Sequence, residues 1–151
     1  MRVIRFVNKP FNQQSFNQND VPARQAIKAF YAKRNQPLED NADRFGVDLV
    51  GNDNSFMVEV EIRTHWNGAK YPYQKVNVLE RKKAMLLNNN VSLMVLNADC
   101  SQAVCIEPNV LRKYLVDANR KVKRCNCGLE GFRDDYIYEI PLEECKKVTL
   151  N

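Results

Sequence analysis

Asp48 stands inside the apolar run Val47-Asp48-Leu49-Val50, and Glu59 and Glu61 are set between Val58, Val60 and Ile62. Strand alternation puts the two glutamates on one face, with Phe56, Val58, Val60 and Ile62 on the other. Like charges two residues apart on one face repel, and an aspartate within an apolar strand is disfavoured unless something compensates it. A divalent cation does so. Three carboxylates converging across a hairpin offer the hard oxygen ligands that Mg²⁺ (or Mn²⁺) prefers, and they leave coordination positions for water and a phosphate. The plainer alternative is a solvated acidic face neutralised by Arg63 or a nearby lysine.

The surrounding sequence supplies elements to carry these acids. Residues 44–50 predict a strand, Gly51-Asn52-Asp53-Asn54 a turn, and residues 55–63 the return strand of a β-hairpin. Upstream, Asp20 is a candidate N-cap with Pro22 in the first turn. Ala26, Ile27, Phe30 and Tyr31 recur at helical spacing, so an amphipathic helix is expected over 21–34, with Arg24, Lys28, Lys33 and Arg34 on its other face and Pro37 beyond its end. Downstream come a loop over 64–74 and a helix over about 75–88, with Val76, Leu79, Ala84, Leu86 and Leu87 turned inward. The apolar run Ser92–Asn97 reads as a central strand buried on both faces, with 103–107 as its hairpin partner and a helix over 108–119. Residues 2–7 read as a short edge strand, 8–20 as a loop, 120–134 as a basic loop, 136–140 as a last strand, and Pro141 as the start of a short terminal helix. Such an order of elements makes an α/β domain, a mixed central β-sheet flanked by helices.

Gly46-Val47-Asp48-Leu49-Val50, a turn, and Val58-Glu59-Val60-Glu61 together resemble the core of the PD-(D/E)xK nuclease superfamily, which pairs an Asp at the end of one strand with a Glu-x-Lys on the next. Eleven residues separate Asp48 from Glu59, within the family's usual range, and Gln74-Lys75 followed by Arg81-Lys82-Lys83 matches the basic helix that often follows the motif. The resemblance covers about residues 20–107 and implies a restriction-endonuclease-like fold across a single domain, 1–151. It further implies a metal-dependent hydrolase of phosphodiester bonds in DNA, with Asp48, Glu59 and the carbonyl of Val60 on Mg²⁺. Glu61 stands where the family has its lysine, as in some restriction enzymes of the superfamily, and would orient the water or hold a second ion. Gln74 or Lys75 would contact the phosphate or replace the lysine. A second register, Glu61-Ile62-Arg63, is also possible. By analogy the protein would act as a homodimer or higher homo-oligomer, in the cytoplasm of a bacterium or of a phage-infected host. A catalytically inactive nuclease fold that binds nucleic acid or protein is the competing expectation, supported by the missing lysine.

Other residues fit a polyanion partner or a bland role equally. Arg81, Lys82 and Lys83 fan round a helix, and Lys121, Lys123 and Arg124 form a second cluster; each set is either a phosphate-tracking surface or simply solvated. His65, the single histidine, has no nucleophile elbow to serve and is read as a surface residue or phosphate contact. Trp66, Tyr71 and Tyr73 are candidates for base stacking or for loop packing. Cys125-x-Cys127 with Cys145 is too tight and too short of ligands for an ordinary zinc site, so reduced thiols are expected.

The chain has 151 residues, a net charge of +5, 44% hydrophobic and 27% charged residues, and no apolar run near the roughly 20 residues of a membrane helix. Five cysteines, an odd number, and an opening segment too short and polar for a secretory signal lead to the expectation of an intracellular protein. Collagen-like, disordered and membrane-spanning classes are excluded by this composition.

Overall fold

The computed structural model describes residues 16–43, 46–52, 55–88, 90–128 and 131–150, with the backbone alone for 16–17, 88, 118, 123–128 and 131–135. The strand expected over 2–7 lies outside the described residues.

A π-helical turn (Phe16–Asp20) leads into helix α1 (Val21–Ala32). Pro22 sits in the first turn as expected, whereas Asp20 is itself helical and its side chain makes no cap hydrogen bond. Ala23, Ile27 and Tyr31 are spaced by four and form the buried stripe of this helix. Strands β1 (Leu38–Asp40), β2 (Leu49–Gly51) and β3 (Met57–Ile62) form an antiparallel meander, with Leu49 opposite Val58. The expected hairpin is therefore present, and β1 is an addition, too short to leave a periodic signal.

The chain then departs from the expected helix over 75–88. Residues Lys75–Leu79 form strand β4, a 3₁₀ turn covers Glu80–Lys82, and only Lys83–Asn88 is helical (α2). Val76 and Val78 are both buried, and this β-branched alternation outweighed the helical spacing of Val76 and Leu79. Strand β5 (Val91–Leu96) runs parallel to β3 and is buried along its whole length, as expected of a central strand. Strand β6 (Gln102–Ile106) returns antiparallel beside it, and α3 (Pro108–Leu115) follows.

The expected basic loop over 120–134 is instead mostly strand: β7 (Lys121–Gly128) pairs with β8 (Gly131–Pro141) in a long antiparallel ribbon. Lysines, arginine and asparagine masked it, because a ribbon can carry polar side chains and still satisfy its backbone along the ladder. The expected terminal helix is one 3₁₀ turn (Leu142–Glu144), after which β9 (Lys146–Thr149) pairs with β6.

Two sheets result, a mixed one ordered β1-β2-β3-β5-β6-β9 and a smaller one ordered β4-β8-β7. Alternate residues of β5 serve two cores. Met94 and Leu96 pack with Ile27 and Tyr31 of α1 on one face. Val91, Leu93 and Val95 pack with Val76, Tyr138 and Leu111 on the other. Each apolar strand residue withdraws surface from water at about 25 cal/mol per Å². β3 belongs both to the meander and, through its pairing with β5, to the parallel part of the sheet, and it carries Glu59 and Glu61. None of the described helices is long and apolar enough to cross a membrane.

Candidate functional site

Asp48 lies one residue before β2, at the point where the β2–β3 ladder would next pair residue 48 with 59. Side chains continue the ladder there. The Asp48 backbone N–H donates to Glu59 Oε1 at 3.2 Å, and the Val60 N–H donates to Asp48 Oδ2 at 2.9 Å. Asn41, just beyond β1, pins the same segment: its backbone N–H donates to the Asp48 carbonyl at 3.0 Å and its Nδ2 to the Val47 carbonyl at 2.9 Å. A Cβ on Gly46 would stand 2.7 Å from that Asn41 Nδ2, so a side chain there would displace the Asn41 amide from the Val47 carbonyl.

The two carboxyls open on a cleft of about 290 Å³ beneath α1, lined by Asp20, Ala23, Arg24, Asp48, Glu59, Val60, Glu61, Ile62 and Lys82. Arg24 Nη2 donates to Asp48 Oδ1 at 2.7 Å, and its Nη1 lies 3.7 Å from Asp40. Lys82, from the 3₁₀ turn, stands 3.4 Å from Glu59 Oε2. Glu59 is only 6% exposed. Burial first, and then the charge of Asp48 and hydrogen bonding with it, push the Glu59 carboxyl up to about 8, with Lys82 pulling the other way. Burial and Asp48 likewise raise Asp20. Asp48 and Glu59 are thus held close together, each beside one cation, at a site where burial disfavours ionisation of Glu59.

Glu61 borders this cleft, but its carboxylate is 3.4 Å from Arg63 Nη1. The expected convergence of three carboxylates does not form; among the described residues, no group of three or more acidic, histidine or cysteine side chains is arranged to hold a metal. The reason is local: Arg63, two residues on and on the same strand face, is the nearer partner. Asp48 and Glu59 remain as a pair. Mg²⁺ is commonly held by one or two carboxylates while keeping several waters, so these two acids beside Val60 fit that ion by donor chemistry. The close approach of the two acids, with the Glu59 carboxyl pushed up by burial and by Asp48, is the observation in favour. Against it, all four carboxylate oxygens already have protein partners.

The remaining expected residues separate. Gln74 and Lys75 line a neighbouring cleft with His65, and Lys75 lies 3.8 Å from Glu139. They are not beside Asp48, because residue 75 begins β4 rather than a helix packed on the hairpin. Of the three consecutive cations, Lys82 enters the acidic cleft, Lys83 Nζ hydrogen-bonds the Tyr138 hydroxyl at 3.2 Å, and Arg81 is exposed. Lys121 is paired with Glu80 at 3.1 Å and lies over the Tyr136 ring. The side chains of Lys123, Arg124, Cys125 and Cys127 lie outside the described residues. Cys105 is buried without a disulfide, and burial pushes its thiol up to about 11, as expected of a reduced core cysteine.

Arg24 and Asp20 were not anticipated at the site. They are four residues apart on one helix face, a spacing that the sequence displays, but only the packing of α1 over β3 aims that face at Asp48. No model of a known protein family matches the chain, and no curated protein matches it.

Proposed function

We propose that the protein is a metal-dependent nuclease that hydrolyses phosphodiester bonds in DNA, with a restriction-endonuclease-like core. The observation that carries this reading is the pairing of half-buried Asp48 with buried Glu59, joined across the hairpin and faced by Lys82 and Arg24. The order α1, the meander β1–β3, then α2 and a strand β5 parallel to β3 supports it, with β4 inserted between β3 and α2.

Asp48 and Glu59, with the Val60 backbone, would hold Mg²⁺. Bound there, the ion supplies polarisation of the phosphate and a lowered pKa for water. Lys82 brings a cation to Glu59, which answers the lysine missing at position 61. Its ammonium is placed to face the phosphate oxygens as negative charge builds on them. Arg24 orients Asp48 through its hydrogen bond to Oδ1. Water adds to phosphorus, the bridging ester oxygen leaves with a proton, and Glu61 is held back by Arg63 from the reacting atoms.

The test is incubation of the purified chain with plasmid, linear, branched and single-stranded DNA in Mg²⁺ or Mn²⁺, beside Glu59→Ala. Cleavage by the wild type and none by the variant supports the reading. No cleavage of any substrate by the wild type overturns it. One observation favours the second reading, an inactive nuclease fold used for binding: Asp48 and Glu59 are saturated by Arg24, Lys82 and backbone N–H groups. Manganese titration separates the two, since an enzyme binds Mn²⁺ at this pair and loses it in Asp48→Ala.

A further inference from the structure

A second cleft of about 780 Å³ adjoins the acidic one and shares Ile62 with it. Its lining includes Arg63, His65, Tyr73, Gln74, Lys75 and Glu139. At one side stands a column of aromatic rings. Trp66 is 2% exposed and meets Tyr71 edge to face at 5.1 Å between centroids; Tyr71 meets Tyr73 in the same manner at 5.7 Å. Tyr73 is the outermost ring and is 63% exposed.

The base of the column is fixed. Trp66 Nε1 donates to the Lys70 carbonyl at 2.9 Å, and the Tyr71 hydroxyl donates to the Lys75 carbonyl at 3.1 Å. Buried Asn97 donates from Nδ2 to the Gly68 carbonyl at 2.8 Å, and Gly68 turns the loop with φ of +86°. An exposed ring on a rigid support offers stacking area without the entropy cost of ordering a loop. Arg63 and Lys75 supply positive charge nearby, each beside one carboxylate, Glu61 and Glu139 respectively. Exposed aromatic surface beside cations is the chemistry that recognises a nucleotide.

We propose that this cleft takes an unpaired nucleotide of the DNA strand bound at the acidic cleft, its base stacked on Tyr73 and its phosphate facing Arg63 and Lys75. The inference rests on the nuclease reading for its location next to a cut. β3 leads from Glu59 to Arg63 over four residues, roughly 13 Å, a distance that a few nucleotides span. A base inside a duplex has both faces covered, so an internal paired base cannot lie on the Tyr73 ring, whereas an unpaired one can. The substrate class is therefore DNA with a single-stranded segment, such as a flap, fork or gap.

The experiment is a fluorescence anisotropy titration of labelled short oligothymidylate, and separately of a blunt duplex, with the full chain in chelator so that no cleavage occurs. Tyr73→Ala is expected to weaken oligothymidylate binding about ten-fold, with Tyr73→Phe restoring it and duplex binding unchanged in both. Equal oligothymidylate binding by wild type and Tyr73→Ala overturns the proposal. So does an equal loss on duplex, or failure of phenylalanine to rescue. Because binding is read without metal, a chain that cuts no DNA yet binds oligothymidylate through Tyr73 overturns the nuclease reading while supporting this cleft.

Discussion

In the cleft beneath α1 the polar groups are buried and matched to one another: Glu59 to Lys82, Asp48 to Arg24 and to the Val60 N–H. Beside Tyr73 the arrangement is inverted, with aromatic rings buried as support and the charged groups turned toward solvent. The first cleft stores an electrostatic conflict, because two acids are held together with little water to screen them. The second stores none and is built by ordinary core packing. Acids held close together away from water suit chemistry, whereas a rigid exposed ring suits recognition.

The contrast can be broken most directly at Glu59. Glu59→Ala should lower cleavage by at least about 10³-fold in an endpoint or single-turnover assay, while the fold persists by circular dichroism. Retained cleavage would remove the acidic pair from the chemistry. Next in size is the support of the second cleft. Trp66→Ala should cost about 3–5 kcal/mol in denaturant unfolding, because it empties a buried site and orphans the Lys70 carbonyl. A loss below about 1 kcal/mol would mean that the aromatic column is not part of the core.

A pH series sharpens the difference between the two. The folded protein holds a proton on Glu59 up to about 8, whereas the unfolded chain releases it near 4.5. Between those values the native state binds more protons, so the contribution of this group to stability is complete below about pH 4.5 and is lost as pH rises toward 8. Glu59→Gln should flatten that decline, by on the order of 2 kcal/mol at pH 8, measured by thermal melts across pH. Saturating Mg²⁺ should flatten it too, since a cation favours the ionised carboxylate. The smallest effect is expected at the rim. Lys75→Ala removes an exposed pair with Glu139 and should shift stability by less than about 0.5 kcal/mol.

Much of the hairpin that carries the acids was legible, because Asp48, the turn after Gly51 and the alternation through Ile62 are local signals. The burial of β5 was equally plain from its unbroken apolar run. What escaped depends on packing between distant segments. Val76 and Leu79 suit a helix or a strand by spacing, and only the β8 partner decides for a strand. The β7 half of the ribbon reads as polar in sequence, and its pairing with β8, whose Ile137, Tyr138 and Ile140 reach the core, is a long-range contact that local sequence does not display. Arg24 reads as a cation of a solvated helix face, and Lys82 as one of three cations fanning round a helix, either phosphate-tracking or solvated. Arg24 and Lys82 belong to the cleft because α1 and the 3₁₀ turn close over β3 from two sides. Glu61 misled for the opposite reason, having a partner in Arg63 that proximity alone suggested.

Strand β5 is covered on both faces and hydrogen-bonded along both edges, to β3 and β6. Its amides can meet deuterated solvent only when the whole molecule opens, so they should be the slowest to exchange, while those of β1, three residues with one partner, should be among the fastest. Leu93 lies in register with Glu59. The acidic pair is therefore moored at one end to the most persistent part of the protein and at the other, through Asp48 and Asn41, to one of the most readily loosened.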